Sequence, residues 1–211
     1  MIARALTGGA AWPVQLRHGP IRLRPLRARD ATEWSAVRQR NLAWLRRWDA
    51  TQPPGGSRGP QSFRSMAREM DRQAKQGRML PFVVTYAERS KRPIVGQLTV
   101  SGITYGSAGW ANMGYWIDQS YAGRGIIPTA VAMAADHCWF GLGLHRIEIA
   151  IRPENSASLR VVEKLGFRYE GERPRYLHID GDWRDHRVFA LNAEEVPEGL
   201  MARLGLTNSA Q

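Results

Sequence analysis

An apolar strand that runs straight into a two-glycine turn and a helix constrains this chain more than any other feature. The strand is Met113-Gly114-Tyr115-Trp116-Ile117-Asp118, the turn Ala122-Gly123-Arg124-Gly125-Ile126-Ile127. Pro128 follows in the first helical turn, where a missing N–H does no harm. Glycines let backbone approach a ligand closely, and a helix start directs unpaired N–H groups and a positive dipole end at it. The amides of Gly123, Arg124, Gly125, Ile126 and Ile127 therefore suit a pyrophosphate, with the Thr129 hydroxyl as a further contact. An ordinary strand-to-helix turn needs the same glycines. Two other nucleotide sites fit less well. A Walker loop ends in Gly-Lys-Ser/Thr, which is absent. A dinucleotide fingerprint needs a third glycine where Pro128 stands, and Glu148 is better read as one polar tooth of an alternating strand.

Downstream, residues 145–152 alternate, with Ile147, Ile149 and Ile151 on one face and Arg146, Glu148 and Ala150 on the other. Then come Arg152-Pro153-Glu154-Asn155-Ser156-Ala157-Ser158 and a helix over 155–165. It closes at Glu163-Lys164-Leu165-Gly166-Phe167, with glycine at the C-cap. Asn155 and Ser158 stand at the helix start, where both residue types are favoured as caps.

Earlier, Ile21 to Leu26 is expected as a strand, and Asp30 as the cap of a helix through Trp34, Val37, Asn41 and Trp44. Residues 53–60 are a loop by composition, and a helix is expected over 61–76, ended by Gly77. Strands at 80–86 and 94–101 flank a charged turn. A helix at 126–140 turns Ala130, Val131, Ala134 and Cys138 to the sheet. Strands from Phe167 and over 185–191 complete the set, with no internal repeat. Strands interleaved with helices, and adjacent strands early on, predict an α/β fold with a mixed central sheet and flanking helices. The expected organisation is a flexible tail over 1–19, one domain over 20–195 and a C-terminal tail over 196–211.

At 211 residues, one domain with a sizeable core is expected. The single cysteine, Cys138, has no internal disulfide partner and falls on an apolar helix face, which makes it core rather than nucleophile or ligand. No apolar run is long enough to span a bilayer, and residues 1–13 lack the core of a secretory signal. A cytoplasmic protein with no membrane partner and no metal is expected. The net charge of +11 favours anionic partners such as coenzyme phosphates, nucleic acid or a ribosome surface, and is equally compatible with solvated arginine-rich faces.

Taken in order, Gly114-Tyr115-Trp116-Ile117-Asp118, Gly123-Arg124-Gly125, Asn155-Ser156-Ala157-Ser158, Glu163-Lys164-Leu165-Gly166-Phe167 and Ile179-Asp180-Gly181-Asp182-Trp183-Arg184-Asp185-His186 resemble GNAT-type N-acetyltransferases. Within them, the chain resembles the ribosomal-protein-alanine N-acetyltransferase branch. The resemblance covers roughly 20–192. The family turn usually opens with Gln or Arg and carries Gly or Ala two positions after its last glycine; here Ala122 and Ile127 stand there. The resemblance implies the GNAT fold with a splayed strand pair, and acetyl-CoA as cosubstrate. Trp116, Ile117 and Asp118 would form the opened strand, pairing with pantetheine amides and giving an N–H to the thioester oxygen, an oxyanion contact worth a few kcal/mol. Asn155 would bind the pantetheine arm, and Ser158 would lie near the departing sulfur. Arg160 and Lys164 either meet the coenzyme phosphates or stay solvated.

Tyr176 to Trp183 has the pattern of a hairpin with an Asp-Gly turn, which the resemblance places at the acceptor entrance. Tyr176, His178 and Trp183 would line the acceptor groove. Relatives carry a base near this hairpin or on the strand before the turn, where this chain offers Asn112 and the pair Leu177-His178. No carboxylate transfers, so His178 is either the substitute base or a surface histidine. The gap bears on substrate. At pH 7 an α-amine is neutral about a tenth of the time, and deprotonating it costs about 1 kcal/mol against about 4.6 for lysine. A site without an obvious base is better suited to an α-amine, in keeping with the ribosomal-protein N-terminus that the resemblance implies. A cationic small molecule (a polyamine or aminoglycoside) and a non-catalytic coenzyme- or RNA-binding module remain as alternatives, and the basic surface would give at most weak contact with ribosome or RNA.

Overall fold

The computed structural model describes residues 12–56 and 62–206. Eight strands form one sheet: β1 (Leu16–His18), β2 (Ile21–Pro25), β3 (Leu80–Tyr86), β4 (Ile94–Thr104), β5 (Trp110–Ile117), β6 (Arg146–Ile151), β7 (Arg168–Ile179) and β8 (Asp182–Asn192). Their order is β1-β2-β3-β4-β5-β6-β8-β7, antiparallel except for β5 beside β6. The sheet is therefore mixed, as expected. Helices cover both faces. On one lie α4 (Ile126–Asp136), α5 (Ser156–Leu165) and α6 (Gly199–Arg203), over a core that includes Leu23, Phe82, Leu98, Ala130, Val131 and Ile147. On the other, α1 (Ala31–Arg40), the single turn α2 (Leu42–Leu45) and α3 (Phe63–Lys75) form a smaller layer, where Trp34, Phe63, Met66 and Met70 pack on Leu26, Ala67, Val83 and Ile94.

The alternation of 146–151 puts Ile147, Ile149 and Ile151 into the core, and Cys138 is fully buried beside α4. The helix expected over 126–140 is α-helical only to Asp136 and closes with a π-type turn over His137–Gly141. The expected helix through Trp44 breaks at Asn41. Its amide Nδ2 donates back to the Val37 carbonyl (2.9 Å), while its Oδ1 accepts from the Gln119 amide (2.9 Å). Asp30 stands at the N-cap of α1 as expected, but its side chain makes no cap bond there. It is buried, receives two bonds from the Arg24 guanidinium (2.8 and 3.0 Å) and accepts from the Arg27 amide. The helix expected from Gln61 starts at Phe63, with Ser62 as its cap; residues 57–61 lie outside the described residues.

Both expected tails extend too far into the chain. Of the N-terminal one, residues 1–11 lie outside the described residues, but Leu16–His18 pair with β2 and Trp12 packs at a tilt against Phe82 (5.6 Å) while donating to Asp71 (3.0 Å). At the other end, Val196 and Leu200 are buried, and α6 is capped by Asp136, which accepts from the Leu200 and Met201 amides (2.6 and 3.0 Å). Apolar side chains with a core face open to them leave the solvent, so the fold includes 12–19 and 196–206.

Candidate active site

The site arises where two parallel strands part. β5 pairs with β6 only from Trp110↔Arg146 to Asn112↔Glu148. Beyond that, β5 stays paired with β4 as far as Gly96↔Ile117, and β6 continues beside β8 to Ile151↔Arg187. Met113 to Ile117 thus present an unpaired strand edge inside the sheet. A cavity of about 790 Å³ opens there, walled by Tyr115 and Trp116, by Gly123 and Gly125, and by Asn155 and Ser158.

Each wall has a local cause. Gly123 (φ 77°) and Gly125 (φ 74°) hold left-handed conformations, and a Cβ on either would meet nothing within 4 Å, so glycine is there for the backbone and leaves the space free. Gly125 is the N-cap of α4, and the first amide to return to the helix is that of Thr129, bonded to the Gly125 carbonyl (3.2 Å). The amides of Ile126 and Ile127 are therefore open to a ligand. At α5, the Asn155 side chain accepts from the Ser158 amide (3.1 Å), so its cap role is real; both residues also line the cavity. Arg160 and Lys164 line it too, adding positive charge on the α5 side.

Several expected residues are placed otherwise. Thr129 is buried and turns its hydroxyl back to the Gly125 carbonyl (3.0 Å). The Arg124 side chain donates to the Ser120 carbonyl and covers the Tyr121 ring, leaving only its amide to the site. Asp118 is buried and structural. Burial alone would raise its pKa, but bonds from Arg40 and from the Ser120 amide and hydroxyl outweigh that and lower it. The pairing keeps the carboxylate charged and fixes the turn before Gly123. Trp116 packs edge-on against Trp34 (6.0 Å), with Arg38 over both rings.

The Asp180-Gly181 turn forms as expected, with Ile179 paired to Asp182. Tyr176, His178 and Trp183 are not among the residues that line the cavity. His178 is buried; its Nδ1 meets the Thr51 hydroxyl (2.8 Å) and carbonyl (3.1 Å), and its ring packs edge-on to Trp183 (5.5 Å). The Gly181 amide donates to the same Thr51 hydroxyl (2.9 Å) and the Asp180 amide to the Asp49 carbonyl (3.0 Å). His178 thus ties the hairpin to the segment after α2. Tyr176 accepts from Arg173 (3.0 Å) and lies edge-on to His186.

That segment supplies what sequence reasoning missed. Trp44 in α2, and Arg47, Trp48 and Asp49 after it, line the cavity. The Asp49 carboxylate pairs through Oδ2 with Arg38, the guanidinium stacked on Trp34 and Trp116. Glu154, the other lining carboxylate, pairs with Arg152 at an exposed rim. Among the described residues no cluster of side chains has metal-ligand geometry, and no helix is long and apolar enough to cross a membrane.

An opened parallel strand pair beside a glycine-capped helix start is the arrangement that the sequence motifs anticipated. Residues 21–168 match the acetyltransferase (GNAT) domain family. The chain belongs to the GNAT acetyltransferase family. A solved structure of Mycobacterium smegmatis RimJ in complex with CoA-disulfide superposes with a TM-score of 0.80 at 39% identity, covering 92% of this chain and 96% of that one. The uS5-alanine N-acetyltransferase of Escherichia coli is 27% identical over 88% of this chain and 94% of its own length. A probable N-acetyltransferase of Bacillus subtilis, YjcK, is 38% identical over 98 residues, and the match spans 54% of that relative. The protein is thus an acetyltransferase with a GNAT sheet.

Proposed function

We propose that this acetyltransferase moves the acetyl group of acetyl-CoA to the α-amine of a protein N-terminus, that of a ribosomal protein. The observation that carries the donor half is the unpaired β5 edge beside the open amides of Ile126 and Ile127. The strand edge has the spacing to pair with the amides of a pantetheine arm, and the helix start takes the pyrophosphate. Gly123, Arg124 and Gly125 contribute backbone, Asn155 its side chain, and Arg160 and Lys164 offset phosphate charge. The RimJ likeness, in complex with a CoA disulfide, supports this use of the cavity.

The acceptor half rests on chemistry and likeness together. The amine lone pair attacks the thioester carbon directly, the C–S bond breaks, and the sulfur takes up a proton from Ser158. The proton lost by nitrogen leaves through water, because His178 is turned to Thr51 and away from the cavity. An α-amine, neutral about a tenth of the time at pH 7, tolerates that arrangement where a lysine would not. Asp49 lines the cavity and would serve as an acceptor for the amine N–H. Both lining carboxylates are offset by arginines, so the cavity is not the acidic pocket that would select a polyamine.

The test is acetyl-CoA with peptides bearing free N-termini, N-blocked lysine peptides and spermidine, read by mass. Acetylation of the free N-termini in preference to the others is expected. Preference for lysine or spermidine overturns the acceptor, and no acetyl transfer to any amine overturns the whole reading.

A further inference from the structure

We propose that Tyr115 positions Ser158. Its phenol donates a hydrogen bond to Ser158 Oγ when the thioester is in place, and so turns the serine proton onto the departing sulfur. The inference rests on the reading of Ser158 as proton donor and adds the residue that makes it directional.

The Tyr115 hydroxyl oxygen is buried, lines the cavity, and has no hydrogen-bond partner among the described residues. A buried polar group without a partner is destabilising, and native folds satisfy nearly all of them. One left open on a cavity wall has its partner elsewhere. Ser158 lines the same cavity, and the Tyr115 phenol makes no hydrogen bond to it among the described residues. Burial drives the Tyr115 pKa upward, with Ser158 only partly opposing it, so the phenol stays protonated and serves as a donor. The serine backbone is already fixed, since its amide is held by Asn155. What remains free is the rotation of its hydroxyl, one donor and two lone pairs. If Tyr115 fills one lone pair, the remaining donor is directed into the cavity.

The balance is simple. The C–N bond forms with the amine lone pair, the C–S pair leaves with sulfur, and Ser158 gives its proton to sulfur. Ser158 regains a proton from the water that took one from nitrogen, while Tyr115 keeps its own throughout. Tyr115 is therefore a positioning residue.

The test compares wild type, Tyr115→Phe, Ser158→Ala and the double variant, using whichever amine the wild type acetylates. Tyr115→Phe should melt at or above the wild-type temperature, because it removes an unsatisfied group. Its kcat should fall about tenfold, the scale of one hydrogen bond, with acceptor KM unchanged. The double variant should be no slower than Ser158→Ala, since Tyr115 acts only through that serine. A melting point lowered by several degrees would make the phenol a structural partner. Unchanged kcat, or losses that multiply in the double variant, would equally overturn the proposal. Transfer to spermidine but not to peptides would fail the acceptor assignment and leave this comparison intact.

Discussion

Gly125 combines a left-handed backbone with open space where a side chain would stand, so its substitution separates folding from binding. Gly125→Glu should lose about 1–2 kcal/mol of stability from the backbone alone. The new carboxylate would occupy the phosphate cradle, and calorimetry should show coenzyme affinity reduced by at least about a hundredfold, roughly 2.7 kcal/mol. Asp49 offers the converse. Asp49→Asn should leave coenzyme affinity near wild type and raise acceptor KM by about tenfold, roughly 1.4 kcal/mol, while Arg38→Met, which keeps the Asp49 carboxylate but removes its partner and the cation over Trp34 and Trp116, should raise it less. Steady-state kinetics on one peptide decides between them. The glycines were legible because a conformation that only glycine adopts readily, next to a helix start, is written in consecutive residues. Asp49 and the orphaned Tyr115 hydroxyl were not, because each takes its meaning from residues distant in sequence: Arg38 and the hairpin for one, Ser158 for the other. His178 misled for the same reason, its partner Thr51 lying 127 positions away.

At the scale of elements, the approach of β4 to β5 is what holds the opened edge in place. A Cβ on Gly96 would come within 2.4 Å of the Trp116 carbonyl, a backbone atom with nowhere to go. Gly96→Ala should therefore destabilise by about 1–3 kcal/mol in urea titrations and weaken coenzyme binding as well, since the strain falls on the strand that the pantetheine must meet. Strands were largely legible, 80–86 to the residue, because alternation and β-branched runs are local signals. Helix limits were less so. Asn41 breaks the first helix by trading an intrahelical place for a bond to Gln119, and Asp30, though at the N-cap, gives its carboxylate to Arg24. Both are tertiary bonds that override a local preference.

For the molecule as a whole, residues 12–19 and 196–206 proved structural because apolar side chains there find a core. Deleting residues 197–211 would remove Leu200 and strip Asp136 of both amide partners. The loss should reach about 2–5 kcal/mol, the range for emptying a buried leucine site, measured by urea denaturation. Acid stability has a separate anchor. Arg146, with help from Arg168, holds the Glu170 carboxyl at about 2 against an ordinary 4.5. A depressed acid stabilises the fold above the unfolded value and stops doing so as pH falls through the folded one. Glu170→Gln should thus lower the urea midpoint at pH 7, and its gap from wild type should narrow between pH 4.5 and 2. The parting of β5 from β6 has one more consequence. Unpaired strand edges invite neighbouring chains, which is why rims of sheets are so often blunted. Here the bare edge lies inside the sheet, between β5 and β6, with residues of α4 and α5 lining the opening, and not at a rim where another chain's sheet could be extended. The same geometry that admits the ligand keeps the protein from adding copies of itself there, so its binding edge needs no guarding charge or proline.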